Sequence, residues 1–91
     1  MDKSVVIYTT PTCPDCHALK RWFDAEGILF EERDLTDPAV MEEAKARTGV
    51  RVAPITFVGD RFFYGTYGDQ RPQIAVALGL MHGPASEGAR P

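Results

Sequence analysis

The stretch from Ser4 to Thr10, SVVIYTT, limits the possible folds of this chain more than any other segment. Its apolar residues do not alternate with polar ones, so it does not read as a strand with one wet face. A short β-branched and aromatic run of this kind predicts a central strand covered on both sides. Pro11 stops it. The chain has 91 residues, and a chain of that size supplies a single core burying about 60–65% of the unfolded surface. Cover on both faces must therefore come from a few helices within one α/β domain.

The rest of the chain supplies them. After Pro11, Leu19, Trp22 and Phe23 recur at i, i+3 and i+4 on one helix face, and Gly27 is the stop signal. Residues 28–35, ILFEERDL, read as a second strand. TDPAVMEEAKARTG is a marked helix: Thr36 or Asp37 caps it, Pro38 sits in its first turn and Gly49 ends it. Glu43 and Arg47 form a favourable i, i+4 pair in it. Ile55 to Val58, Gly59-Asp60, and Arg61 to Tyr64 make a hairpin pattern. Pro72 is expected to open a last helix with Ile74, Ala77, Leu78 and Met81 on one face. The order is β-α-β-α-β-β-α, with residues 1–81 as the domain and 82–91, HGPASEGARP, as a flexible C-terminal tail.

Charge and composition exclude several functions. A net charge of −3 leaves no basic footprint for nucleic acid or an anionic membrane. Met1 to Thr10 has no positive n-region, long apolar h-region or small-residue cleavage site, so no secretory signal is expected. No apolar run approaches the ~20 residues of a membrane span. A cytoplasmic chain working as a monomer is the expectation. In that compartment, two close cysteines point to catalysis, redox sensing or metal rather than a structural staple.

Those cysteines stand in TCPDCH, residues 12–17, between the first strand and the first helix. The opening turn of a helix presents free N–H groups and the positive end of the macrodipole, which favour an anion. A free thiol titrates near ~8.5, and helix N-termini can bring it below neutrality. Cys13, at the tip, is the candidate nucleophile, and Cys16, one turn inside, suits a resolving thiol. In a βαβ context Cys-x-x-Cys is a thioredoxin-like signal. CPDCH also fits the Cys-x-x-Cys-His attachment motif of c-type haem, but haem addition requires export, and Met41, Met81 or His82 would have to serve as distal ligand. Zinc needs four ligands, and Cys13, Cys16, His17 and His82 are the whole cysteine and histidine inventory, at poor spacing. No metal is expected.

Asp15 raises a conflict. Thr12, Cys13, Pro14 and Asp15 spell a capping box, with Thr12 as N-cap and Asp15 reaching back to a free N–H. The same carboxylate disfavours a thiolate at Cys13, which makes the pair a stronger reductant. Protonated His17 would offset it, but histidine is mostly neutral at pH 7; its plain reading is a solvated helical residue. Trp22 reads as core. Pro54 reads as a strand starter, and for an X-Pro bond trans is the commoner state.

Together these residues resemble the glutaredoxin branch of the thioredoxin superfamily over residues 3 to 81. The resemblance is carried by VVIYTT, CPDC, the proline in VAP and the strand pair after it. Within that branch, Cys16, His17, Ala18 and Lys20 are similar to the active-site helix of NrdH-type redoxins, and Arg71 and Pro72 to the Arg-Pro of their last helix. The resemblance implies a thioredoxin-like fold with a four-stranded mixed sheet flanked by three helices. It implies a cis Pro54 beside Cys13, and a substrate segment pairing with the backbone at Ala53, a form of β-augmentation. It also implies no bound cofactor, a redox-active Cys13–Cys16 disulfide, and substrate contacts at Thr12, Pro14, Ala53, Pro54, Gly65 and Asp69; by the charge argument above, Asp15 and His17 are the residues expected to tune the potential. Electrons would come from NADPH through thioredoxin reductase, or from glutathione, and pass to a protein disulfide such as that of ribonucleotide reductase. Two departures bear on the donor. The basic residue that glutathione users often carry before the first cysteine is replaced by uncharged TTPT, and their Gly-Gly loop becomes YGTYGDQ, where Gly65 or Gly68 and Asp69 stand in.

Overall fold

The structure, a computed structural model, describes residues 4–80. Met81, His82 and the expected tail, 82–91, lie outside the described residues. Four strands and three helices follow in the expected order: β1 Val5–Thr9, α1 Pro14–Ala25, β2 Glu31–Asp34, α2 Pro38–Thr48, β3 Ile55–Val58, β4 Arg61–Tyr64 and α3 Tyr67–Ala77. The sheet order is β2-β1-β3-β4. β1 runs parallel to β2 and antiparallel to β3, and β3 pairs antiparallel with β4.

The unbroken apolar run of β1 is explained by its central place. Val5 and Ile7 pack with Leu19 and Phe23 of α1, Val58, Phe63, and Ile74 and Ala77 of α3. Tyr8 faces the other way, into a second cluster with Leu35, Ala44 of α2, Ile55 and Phe57. Side chains alternate across a strand, so β1 feeds two cores at once. Phe23 has no exposed surface, and truncating a buried phenylalanine to alanine costs about 3–5 kcal/mol. Tyr8 is equally buried yet keeps its hydroxyl bonded. It donates to Glu43 Oε2 at 2.5 Å and accepts from Arg47 Nη1 at 3.0 Å, which extends the expected Glu43–Arg47 pair of α2 to the central strand.

Two boundaries differ from expectation. β2 is confined to Glu31–Asp34, because Ile28 and Phe30 serve as packing in the connection rather than as ladder. Its four residues are charged, which suits an edge strand. Of the two expected caps of α2, Asp37 is the one used, accepting from Ala39 N–H at 2.9 Å. The larger difference is α3, which begins at Tyr67 rather than Pro72. Thr66 is its N-cap, its hydroxyl accepting from Asp69 N–H at 3.1 Å. Pro72 lies inside the helix. There it removes the bond that would reach the Gly68 carbonyl, and the burial of Ile74, Ala75 and Ala77 below it holds the helix together.

Candidate active site

The turn after β1 delivers Cys13 to the N-cap of α1, with φ −96° and ψ 109°. Proline has no N–H and suits the first helical position, so Pro14 takes that place and the cap falls on the residue before it. This corrects the expected capping box. Thr12 stands one residue too early and is exposed. The Cys13 sulfur takes the role of the capping oxygen, accepting from Cys16 N–H at 3.0 Å, while the Cys13 carbonyl accepts the first helical bond, from His17 N–H, at 3.1 Å. Cys13 and Cys16 are joined as a disulfide, with Cα atoms 5.2 Å apart. Cys13 is half-buried, and Cys16 has no exposed surface. That burial disfavours the haem alternative, since two thioether links require both sulfurs at the surface.

Asp15 does not reach back to its own helix either. Its Oδ1 accepts the Tyr67 N–H, the first of α3, at 3.0 Å. One carboxylate thus lies in the first turn of α1 and against the first turn of α3, where both macrodipoles favour it. His17 is exposed, and its ring Nε2 lies 3.0 Å from the Pro11 carbonyl oxygen. A carbonyl only accepts, so Nε2 carries the proton. His17 therefore ties down the turn before Cys13.

The second half of the site comes from the hairpin. The Ala53–Pro54 bond is cis. Tyr8 pairs with Ile55, and Ile55 with Tyr64. One step beyond these pairs, Pro54 falls between Thr9 and Gly65, at the end of the sheet from which the Cys13 turn departs. Pro54 is buried and Ala53 half-buried. Gly65 has φ 116°, a conformation that favours glycine, and a Cβ there would lie 3.4 Å from Asp69 Oδ2. Asp69 is exposed in the first turn of α3. This end of the sheet therefore gathers Cys13, Cys16, Asp15, Ala53, Pro54, Gly65 and Asp69, with Thr12 and Pro14 on its exposed rim.

A residue not anticipated from the sequence holds the two halves in register. Gln70 is fully buried, and its Nε2 donates to the Pro54 carbonyl at 2.8 Å and to the Gly65 carbonyl at 2.9 Å. Its only sequence signal is position: one turn after the Thr66 cap, a polar side chain points inward.

The flank along β2 is anionic. Lys20 Nζ and the Thr9 hydroxyl both donate to Glu32 Oε2, at 2.8 and 2.6 Å, and hold its carboxyl below the usual range. The Thr36 hydroxyl and amide do the same for Asp34. Glu32 and Asp34 line a groove with Thr9 and Pro11 beside the cysteine turn. Among the described residues, no three His, Cys, Asp or Glu side chains are grouped as metal ligands. No helix among them is long and apolar enough to cross a membrane.

The glutaredoxin family model matches residues 5–63. Glutaredoxin 3 of Escherichia coli is 36% identical over 56 residues, covering 60% of this chain and 68% of that protein. The glutaredoxin-like protein NrdH of Escherichia coli is 33% identical over 61 residues, covering 67% of this chain and 75% of that one. A solved structure of NrdH-redoxin from Escherichia coli superposes with a TM-score of 0.66 at 30% identity, over 78% of this chain and 93% of the other. The hybrid peroxiredoxin hyPrx5 of Haemophilus influenzae is 30% identical over 66 residues, or 72% of this chain, but the match spans only 27% of its length. The disulfide at the tip of α1 lies within the matched span, which makes the protein a thiol–disulfide oxidoreductase, and the chain belongs to the glutaredoxin family.

Proposed function

We propose that this chain is an NrdH-type dithiol reductant of protein disulfides, with Cys13 as the attacking thiol and Cys16 as the resolving one. The observation that carries the reading is the contrast in exposure at one helix tip. Cys13 is partly open to solvent at the N-cap, and Cys16 is sealed beneath it. In the reduced protein, the free amide at the tip stabilises a Cys13 thiolate. That thiolate attacks one sulfur of a substrate disulfide. The substrate S–S bond breaks, its second sulfur leaves with the electron pair and takes up a proton, and a mixed disulfide remains. Cys16 then loses its proton and attacks the Cys13 sulfur, which releases the substrate as a dithiol and closes the Cys13–Cys16 bond. Two electrons and two protons pass to the substrate. An extended substrate segment lies along Ala53, whose N–H and C=O make no hydrogen bond within the described residues.

The donor in this reading is NADPH through thioredoxin reductase, and a ribonucleotide reductase is the acceptor that likeness to NrdH nominates. The Escherichia coli NrdH-redoxin is itself described by a thioredoxin-like activity profile. The turn Thr9 to Thr12 brings no cation to bind a glutathione carboxylate. The protein acts as a cytoplasmic monomer in this scheme. A second reading, a glutathione-reduced glutaredoxin, draws on Gly65 and Asp69 at the start of α3. NADPH consumption separates the two: thioredoxin reductase should sustain rapid turnover, and glutathione with glutathione reductase should sustain slow turnover. The reverse ranking moves the chain to the glutathione-dependent members.

A further inference from the structure

We infer that Gln70 is a positioning residue for substrate, a side-chain bracket that sets the orientation of the Ala53–Pro54 segment on which a disulfide-bearing chain docks. This inference rests on the docking mode proposed above. It starts from a deficit at the end of the sheet. The Ile55–Tyr64 pair is the last in the β3–β4 ladder, and the next would place Pro54 opposite Gly65. Proline has no N–H to give, so the ladder cannot continue through Pro54, and the Gly65 carbonyl loses its backbone donor. Gln70 supplies the donor from α3. A side-chain amide carries two N–H groups, and the two contacts, 2.8 Å to Pro54 O and 2.9 Å to Gly65 O, use both. Both partners are carbonyl oxygens, which only accept, so the amide orientation is fixed by chemistry and not by choice.

The bracket acts at the right place. Pro54 is held by its own carbonyl, one residue from Ala53, whose backbone is left without a partner within the described residues. Gly65 is held on the opposite side, next to Thr66, and Tyr67 is in turn held by Asp15 of the cysteine helix. A continuous set of bonds thus runs from the Cys13 helix through the start of α3 to the strand end. Gln70 Oε1 is buried and has no partner among the described residues. An amide buried with its acceptor unsatisfied is a poor choice for packing alone, and its two donors are what the site uses.

The test compares a substrate that needs the docking segment with one that does not. Gln70→Met keeps length and removes both donors. For insulin reduction coupled to thioredoxin reductase, KM should rise about tenfold, the equivalent of ~1.4 kcal/mol and the size of one net hydrogen bond, with kcat within about twofold. The reaction with dithionitrobenzoate, too small to span Ala53, should change less than about twofold. An equal loss on both substrates, or no change in KM for insulin, overturns the inference. A second measurement needs no change at Gln70. In Cys16→Ser protein, a peptide joined to Cys13 should shift the Gln70 Nε2 proton resonances, and 2-mercaptoethanol joined there should leave them in place. Equal shifts, or none with peptide, overturn it as well. An unaltered protein that reduces dithionitrobenzoate but not insulin overturns the docking mode beneath it.

Discussion

Replacing Asp15 by asparagine separates the two roles its carboxylate plays. The first is electrostatic. Asp15 follows Cys13 by two residues in the opening turn of α1, which places charges on the two side chains roughly 7 Å apart by helix geometry. Their repulsion at that distance is ~0.6 kcal/mol in a water-like medium and ~2.4 kcal/mol at an effective dielectric of ~20. Asp15 is half-buried, so the value lies between those limits. Removing the charge stabilises the reduced, thiolate form and leaves the disulfide unaffected, so the reduction potential rises. With ~30 mV per ~1.4 kcal/mol for a two-electron couple, the rise is ~10–50 mV.

The second role is the bond to Tyr67 N–H. Asparagine keeps an oxygen there but turns a charge-assisted bond into a neutral one, a loss of about 1 kcal/mol. Asp15→Ala would leave the amide without its acceptor and cost about 1–3 kcal/mol. Alkylation of free thiols after equilibration with a glutathione redox buffer gives the potential, and denaturant unfolding of the oxidised protein gives the stability. A potential unchanged in Asp15→Asn, alongside a clear loss of stability, would refute the electrostatic role and leave only the link between helices.

Cys16→Ser should accumulate covalent complexes with protein substrates on non-reducing gels, and Cys13→Ser should exchange with none; trapping by the Cys13 variant would reverse the order of attack. Glu43 is held below the usual carboxylate range, first by the Tyr8 hydroxyl and then by Arg33 and Arg47, and Glu32 and Asp34 are also depressed. Groups with lowered folded values contribute stability above about pH 4.5 and lose it as pH falls through those values, so urea midpoints should drop from pH 5 to 3. Glu43→Gln should flatten that drop, and an unchanged slope would show that Glu43 is not among its causes. Thr66→Ala should cost about 1 kcal/mol in urea unfolding through loss of the α3 cap; a loss below ~0.3 kcal/mol would mean that the Asp15–Tyr67 bond alone starts the helix.

The elements that were legible were those whose signals are local. β3 and β4 match the expected spans because Gly59, at φ 62°, marks a turn between two apolar runs. Gly49 ends α2 in the left-handed conformation for the same reason. The two cysteines were legible because their spacing and their place after β1 are both local. Errors arose where a side chain chose a distant partner over a near one. Asp15 has the sequence of a capping box but bonds to Tyr67, 52 residues away. Pro72 has the sequence of a helix start, yet Thr66 supplies a better one six residues earlier. Gln70 gave no local sign because its partners, Pro54 and Gly65, meet only once the hairpin has closed.

Asp15, Gln70 and the Cys13 sulfur answer a single physical problem. A proline ahead of a central strand leaves carbonyls without donors, and two helices starting at the same end leave amides without acceptors. Backbone pairing cannot resolve either deficit, so side chains do: Asp15 accepts for α3, Gln70 donates to the strand end, and the Cys13 sulfur accepts for α1. The last of these also undergoes the chemistry. When the disulfide opens, the Cys13 sulfur gains negative charge while still facing the Cys16 amide, so the contact that caps the helix in the oxidised state becomes a charge-assisted bond in the reduced one. Reduction therefore strengthens the cap on α1 just as it sets Cys13 against the Asp15 carboxylate. In the proposed mechanism, the balance between an amide that favours the thiolate and a carboxylate that opposes it would set how readily the protein gives up its electrons, and Asp15→Asn tests the second half of that balance.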